Sequence, residues 1–307
     1  MHNSVLLEES IENLNIKNGG VYVDCTLGFG GHSSLILTAN KKGKLFCFDQ
    51  DDYAIKCSYE RLSEIGENFE IIRSNFVNLK SELNKRGIDK IDGILFDLGV
   101  SSVQLDEADR GFSFHNDAKL DMRMDTTSDF SAYNVVNEYS YKDLVNIFYK
   151  YGEEKYSNSI ARNIVKYRET KNIETTLELV EIIKNSMPMK AKRDAHPARR
   201  IFQAIRIEVN KELEVLTSAL EQAIDMLDVG GRICVITFHS LEDRIVKNTF
   251  KKYSEVDSMV KNLPFIPEEY SPILKLIGKS ITPSEKELNE NNRARSSRLR
   301  VAEKIKG

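Results

Sequence analysis

The sequence predicts an α/β protein: a Rossmann-like, doubly wound sheet interrupted by an inserted all-helical domain. Three observations predict it. Val21-Tyr-Val-Asp24 reads as a short buried strand, and Gly28, Gly30 and Gly31 then give a tight turn before an apolar helix that includes Leu35, Ile36 and Leu37. Two later strands, Lys44 to Asp49 and Ile91 to Asp97, also end in an acid. From about Ser131 the apolar period becomes helical and stays so until Arg232-Ile-Cys-Val-Ile-Thr-Phe238 returns the chain to a strand. The division expected is a discontinuous sheet domain of residues 1–125 and 208–307, with a helical insert of residues 126–207.

The glycine turn admits three readings. As a dinucleotide fingerprint, G-x-G-x-x-G, it has Ser33 in the third glycine place. Counted back from Gly30 it is D-x-T-x-G-x-G, headed by Asp24. That is similar to the first motif of S-adenosylmethionine (SAM) methyltransferases, with Thr26 in the first glycine place. The third reading is a turn with no ligand. Ser33 and Ser34 are placed to cap the helix that follows.

Composition narrows the class. The 307 residues carry a net charge of −3, so no global field draws the chain onto nucleic acid, and any such binding must come from a local patch. Cys25, Cys47, Cys57 and Cys234 form no C-x-x-C pair and no zinc spacing, and no cluster of ligands suggests another metal. The N-terminus lacks a basic region followed by an apolar core, and no apolar run approaches a membrane span. A soluble protein of a reducing cytoplasm, with no membrane partner, is the expectation.

In order along the chain, Leu7, Ile11 and Leu14 keep helical spacing before the first strand, and His2, polar and terminal, is expected to be exposed, with approach to a ligand as the alternative. Asp49 follows the glycine loop by about twenty residues, where a nucleotide-binding sheet puts the carboxylate that accepts the ribose hydroxyls. The alternative is a strand-end cap. Asp51 and Asp52 suit the start of the next helix. Phe69 to Arg73 is the third strand, and Phe76 beyond it either packs on an adenine or belongs to the core. Such sheets bind ligands outside the carboxyl ends of their strands, so Asp24, Asp49, Asp97 and Gln104 should meet in one crevice. Residues 110–125, R-G-F-S-F-H through L-D-M-R-M-D, have no period and enough apolar content for a long ordered loop beside that crevice.

The helical insert shows stripes at Val135 and Val136, at Leu144, Val145 and Phe148, at Ile160, Ile164 and Val165, and at Leu177, Leu179, Val180 and Ile183. A basic run follows: Lys190, Lys192, Arg193, His196, Arg199, Arg200 and Arg206. It is either a phosphate-contacting edge or a solvated helix face. One long helix is predicted from Pro197 to about Leu227, stopped by Gly230-Gly231. His239 to Arg244 opens another, with Ser240 as its cap. His239 either lines the crevice or serves capping and packing. Leu274 to Ile281 reads as a late strand. A second basic cluster, Arg293, Arg295, Arg298 and Arg300, reads as an edge strand with its charges on one face.

Six runs together identify a family. D-G-I-L-F-D-L-G-V-S-S, R-G-F-S-F, L-D-M-R-M-D, F-Q-A-I-R-I-E-V-N, F-H-S-L-E-D-R-I-V-K and R-A-R-S-S-R-L-R resemble, in order and from His2 to the C-terminus, the RsmH (MraW) methyltransferases of bacterial small-subunit rRNA. The resemblance implies a class I methyltransferase fold and SAM-dependent methylation of the N4 amine of a cytidine in 16S rRNA, in the P-site region of the decoding centre. The partner implied is 16S rRNA within the small ribosomal subunit. The oligomeric state stays open, a homodimer included. Carried over by position, the SAM contacts are Gly30, Gly31, His32, Asp49, Phe76, Asp97 and Gln104. The RNA contacts expected are Lys190, Lys192, Arg193, Arg199, Arg200, Arg293 and Arg295.

One departure bears on mechanism. Many amine methyltransferases have Pro-Pro-aromatic after the acid or Asn that ends the fourth strand, whereas Leu-Gly-Val-Ser-Ser follows Asp97 here. The usual clamp on the target base is therefore not assumed. Asp97 is the candidate acceptor for the N4 proton, with Ser101 and Ser102 as positioning groups. Two rivals remain. An NAD-dependent dehydrogenase is opposed by Ser33 and by the lack of a hydride-transfer constellation. A non-catalytic RNA-binding protein is opposed by the convergent carboxylates, which RNA phosphates would not favour.

Overall fold

The computed structural model describes residues 4–100, 107–189, 196–256, 259–260 and 265–307. The chain divides into two compact units, residues 1–99 with 213–307, and residues 100–212.

The first unit holds a seven-stranded sheet. Its strands are β1 (Val21–Asp24), β2 (Lys44–Asp49), β3 (Phe69–Arg73), β4 (Ile91–Asp97), β5 (Leu227–Thr237), β6 (Leu274–Leu276) and β7 (Arg298–Lys304). The order is β3-β2-β1-β4-β5-β7-β6. Strands β1 to β5 are parallel, while β7 runs antiparallel to both β5 and β6. The chain order reverses between β1 and β4, which is where such sheets take a ligand.

Alternation along the strands fills two cores. Val23, Phe46, Phe48, Ile94 and Phe96 point to one face, where Leu79, Leu216, Leu220, Val246 and Phe250 cover them. Tyr22, Leu45, Cys47 and Leu95 point to the other, under Leu6, Leu14, Ile36, Leu37 and Leu62. The covering residues come from α1 (Leu7–Leu14), α2 (Gly31–Ala39), α3 (Asp52–Ser63), α4 (Leu79–Asn84), or from just before α1 in the case of Leu6, and, past the second unit, from two helices described below. Each buried Leu or Phe contributes about 1.5–3 kcal/mol over exposure, so both faces stabilise the sheet. Asp51 caps α3 by accepting from Tyr53 N at 3.0 Å and Ala54 N at 3.4 Å. All four cysteines are free, and Cys25, Cys47 and Cys234 lie in the cores.

The second unit is helical: α5 (Ala132–Glu138), α6 (Tyr141–Lys150), α7 (Ser157–Arg168), α8 (Thr176–Asn185) and α9 (Arg199–Asn210). Val135, Leu144, Phe148, Ile160, Ile164, Leu179, Ile183, Ile201 and Ile205 form its buried stripes. Ser131 and Thr175 begin α5 and α8 with capping boxes, and Ser140 caps α6.

The loop of residues 107–125, expected in the sheet domain, belongs to this helical unit. Helix ends and one side chain supply its backbone partners. Thr176 N donates to Ala118 O at 2.8 Å, and Leu120 N to Glu174 O at 3.0 Å. Asn210 holds both sides of the loop, its Nδ2 donating to Met122 O and its Oδ1 accepting from Met124 N, each at 2.8 Å. The predicted single helix from Pro197 to Leu227 is two helices, because Lys211 is left-handed at φ 51°. The chain bends there into α10 (Glu212–Met226).

After β5 comes α11 (Ser240–Ser254), and α12 (Glu285–Glu290) precedes β7. The cap of α11 is His239 rather than Ser240, and the caps expected of Ser33 and Ser34 are replaced by Gly30 as the residue before α2. The late strand is shorter than predicted, with Ile281 reduced to an isolated bridge to Leu299. Nor is the arginine-rich end an edge strand. Arg293 and Arg295 stand on a 3-10 helix, and β7 lies between two partners. Among the described residues no helix is long and apolar enough to cross a membrane.

Candidate active site

The site is built at the carboxyl ends of β1, β2 and β4. Gly28 and Gly30 have φ values of 50° and 71°, a backbone that glycine adopts without strain. The turn they make lets Gly28 N donate to Asp49 Oδ2 at 2.9 Å, while Asp49 Oδ1 accepts from Gln50 N and Asp51 N at 2.8 and 2.9 Å. Gly31 is required for a different reason. A Cβ there would lie 1.9 Å from Ser4 Oγ, so this position accommodates the chain's own N-terminal segment.

Two residues that depart from the glycine pattern lace the site together. Ser33 Oγ donates to the buried carboxylate of Asp24 at 2.7 Å. The other Asp24 oxygen accepts from Thr26 N at 3.0 Å, and Thr26 Oγ1 accepts from Asp97 N at 2.6 Å. The loop after β1 is thus fastened to the end of β4. Neither role is visible in sequence, where Thr26 registers as a missing glycine and Ser33 as a missing glycine or a helix cap.

His32 stands in the first turn of α2 and is 4% exposed. Its Nδ1 lies 3.7 Å from Asp97 Oδ2. Burial holds its imidazole below the usual range, against the opposing pull of Asp24. Burial also holds Asp97 well above the usual carboxylate range, and the nearby carboxylates of Asp24 and Glu242 add to the effect. Both shifts favour the uncharged forms of Asp97 and His32. Asp49 is raised too, to about 6, because burial outweighs its backbone donors.

Glu242 stands in the first turn of α11, where its charge suits the helix N-terminus. It is 2% exposed, and its Oε2 accepts from Phe238 N at 2.7 Å and His239 N at 3.3 Å. Its Oε1 is 3.0 Å from His239 Nε2. His239 caps α11 through Nδ1, which accepts from Glu242 N at 3.4 Å. The capping reading of His239 is therefore realised.

Phe76 is half-buried beyond β3 and meets Phe96 edge-on at 5.7 Å. Next to it, Asn75 Nδ2 donates to Gln50 Oε1 at 3.2 Å, joining the ends of β2 and β3. Ser101, Ser102, Gln104, Lys190, Lys192 and Arg193 lie outside the described residues, as does His2. Arg199 and Arg200 are exposed in the first turn of α9, and Arg200 Nη1 donates to Glu153 O at 3.1 Å. Arg293 and Arg295 are exposed. Arg300 is not available to a phosphate in the same way, since it pairs with both oxygens of Asp243 at 2.7 and 3.0 Å.

Among the described residues, the buried polar atoms without a hydrogen-bond partner include two at this site, His32 Nε2 and Asp97 Oδ1. Leaving such atoms unpaired is costly, and each one calls for an explanation. Asp49 Oδ2 keeps a lone pair beyond the one used by Gly28. An acceptor at β2, a glycine turn at β1 and unspent polar atoms at the end of β4 and the start of α2 fit a nucleoside carrying a charged sulfur group. SAM supplies, when bound, a methyl group already activated by its sulfonium.

Comparison with known proteins agrees with this geometry. The model of the MraW methylase family matches residues 1–305. Among solved structures, an rRNA methylase from Streptococcus thermophilus is 14% identical, with 96% of this chain and 92% of that one covered and a TM-score of 0.44. A putative rRNA methylase from Clostridium thermocellum is 14% identical, with 99% of each chain covered and a TM-score of 0.46. A putative methyltransferase from Streptococcus mutans in complex with SAH has the same identity and coverage, with a TM-score of 0.44. At these values the assignment rests on the family match and not on the structures. With nearly the whole length matched and the strand-end acids in place, the chain belongs to the MraW methylase family and is a SAM-dependent methyltransferase of the class I fold.

Proposed function

We propose that this methylase acts on rRNA, at the N4 amine of a cytidine in 16S rRNA, in the P-site region of the small ribosomal subunit, and works in the cytoplasm where that subunit is made. The observation that supports the reading is Asp97 Oδ1, a buried oxygen at the end of β4 with no hydrogen-bond partner among the described residues. Cytosine N4 is a poor nucleophile because its lone pair is delocalised into the ring. It needs an acceptor that polarises N4–H and then takes the proton.

In this reading Gly30, Gly31 and His32 shape the loop around the cofactor, and Asp49 accepts from its ribose. Phe76 and Gln104 border its base. Asp97 holds or accepts the proton at Oδ1, while Ser101 and Ser102 position the target base. His32, 3.7 Å away, steadies the Asp97 carboxyl. Holding nitrogen, methyl and sulfur in line supplies much of the remaining rate. The helical unit takes the RNA, with cations at Lys190, Lys192, Arg193, Arg199 and Arg200, and Arg293 and Arg295 add contacts from the sheet unit.

Mass spectrometry of 16S rRNA nucleosides tests the function. Deleting the gene should remove N4-methylated cytidine, and the wild-type gene should restore it. An unchanged level would overturn the reading.

The RNA-binding arginines have their own test. Arg199→Ala with Arg200→Ala should weaken rRNA binding and leave SAM affinity intact. Every arginine that neutralises a phosphate in the wild type should, once replaced, reduce the slope of log affinity against log salt by about one. Arg200 also holds the Glu153 carbonyl, so the thermal melt of Arg199→Ala alone separates packing from binding. Unchanged affinity and slope in a stable variant would make this turn a solvated helix face.

A further inference from the structure

We propose that Phe114, His115 and His196 of the helical unit form a stacking platform for one unpaired base of the RNA substrate. The inference rests on the rRNA reading above and assigns it a specific surface. The three rings form a closed triad. Phe114 stacks on His196 at 4.5 Å with planes 21° apart, His115 lies 4.5 Å from Phe114, and the two imidazoles are 5.2 Å apart. Phe202, 3% exposed, meets Phe114 edge-on at 5.7 Å and fixes the triad from the buried side.

The triad reaches the surface. His115 is exposed, and Phe114 and His196 are half-buried. A ring cluster that served only packing would gain more by full burial, since buried area sets the hydrophobic contribution. A base has a π-face whatever its identity, so an exposed ring cluster suits an RNA base without demanding a sequence. Burial, His115 and Lys184 hold His196 below its usual range, which keeps its ring neutral for stacking.

Charge around the triad favours RNA over an apolar peptide. Arg199 N donates to His196 O at 3.1 Å, so the exposed Arg199 side chain starts from the turn that carries the ring. Among the described residues its guanidinium makes no ion pair. A stacked base brings its phosphate with it, and a cation beside the platform meets that phosphate.

The probe is small-subunit rRNA from a strain lacking this gene, bound to wild-type protein, His115→Ala and His115→Phe over a salt series. His115→Ala should bind about tenfold more weakly, within the range for losing one stacked base. Its salt slope should equal that of the wild type, because stacking releases no counterions. His115→Phe should restore affinity, and SAM binding should be the same in all three. A His115→Ala variant that binds normally, or one whose slope falls, or a Phe variant that fails to restore affinity, overturns the platform while leaving the rRNA reading intact. Failure of the wild type to bind the rRNA overturns both.

Discussion

Asp97→Asn should lower the single-turnover rate of methyl transfer by roughly two to four orders of magnitude, the range for losing a positioned general base. SAM affinity should change far less. Asparagine keeps the size of the side chain and one carbonyl acceptor, and the backbone bond from Asp97 N to Thr26 Oγ1 is untouched. What it loses is the capacity to take a proton. The pH dependence adds a second signature. Asp97 is held well above the usual carboxylate range by burial and by Asp24 and Glu242, so the wild-type rate should climb with pH until this carboxyl ionises. A positive charge bound beside it favours the ionised form and brings that point lower. The Asn variant should lack this limb.

Stability follows the same linkage. A carboxyl whose folded pKa is raised contributes stability below its unfolded value and loses that contribution as pH rises through the folded value. Without SAM, then, Asp97→Asn should melt above the wild type at pH 8 and show no such advantage at low pH. If the variant transfers methyl at the wild-type rate under saturating SAM, Asp97 is not the acceptor.

Asp49→Ala should weaken SAM by about 1.5–3 kcal/mol, the scale for hydrogen bonds to a charged group. That is about tenfold to 150-fold in Kd by titration calorimetry. The variant also frees the N–H groups of Gly28, Gln50 and Asp51, so the turn that receives the cofactor loses its anchor. Hydrogen bonds from a ribose favour the ionised carboxylate, so wild-type affinity should fall as pH drops below about 6, the point to which burial raises Asp49. In the free protein the sign is opposite. Ionising Asp49 as pH rises through about 6 costs about 3 kcal/mol relative to its ordinary value near 3.8, so the stability gap between wild type and Asp49→Ala should narrow from pH 4 to pH 8. Unchanged SAM affinity would remove Asp49 from the site.

Sequence by itself determined three strands of the sheet and their ends, whereas β5 begins at Leu227, ahead of the predicted Arg232, and β6 stops at Leu276. Lys44 to Asp49, Phe69 to Arg73 and Ile91 to Asp97 were readable to the residue because each is a short apolar run, and two of the three end in an acid. Helical stripes such as Leu144 and Phe148 were readable for the same reason. These are local patterns, and one buried face is enough to impose them. The tertiary structure decided the rest. Lys211 turns left-handed and divides a continuous apolar stripe, a choice set by what each half packs against. Residues 107–125 have no period because their partners are Asn210, Glu174 and Thr176, distant in sequence. Thr26 and Ser33 become fasteners only once Asp97 and Asp24 come within 3 Å of their hydroxyls. Glu242 becomes an electrostatic neighbour of Asp97 only once β5 lies beside β4. Periodicity reports which side of an element is apolar, whereas a hydrogen bond or a charge pair needs two groups within a few ångströms, and only the folded chain brings such pairs together.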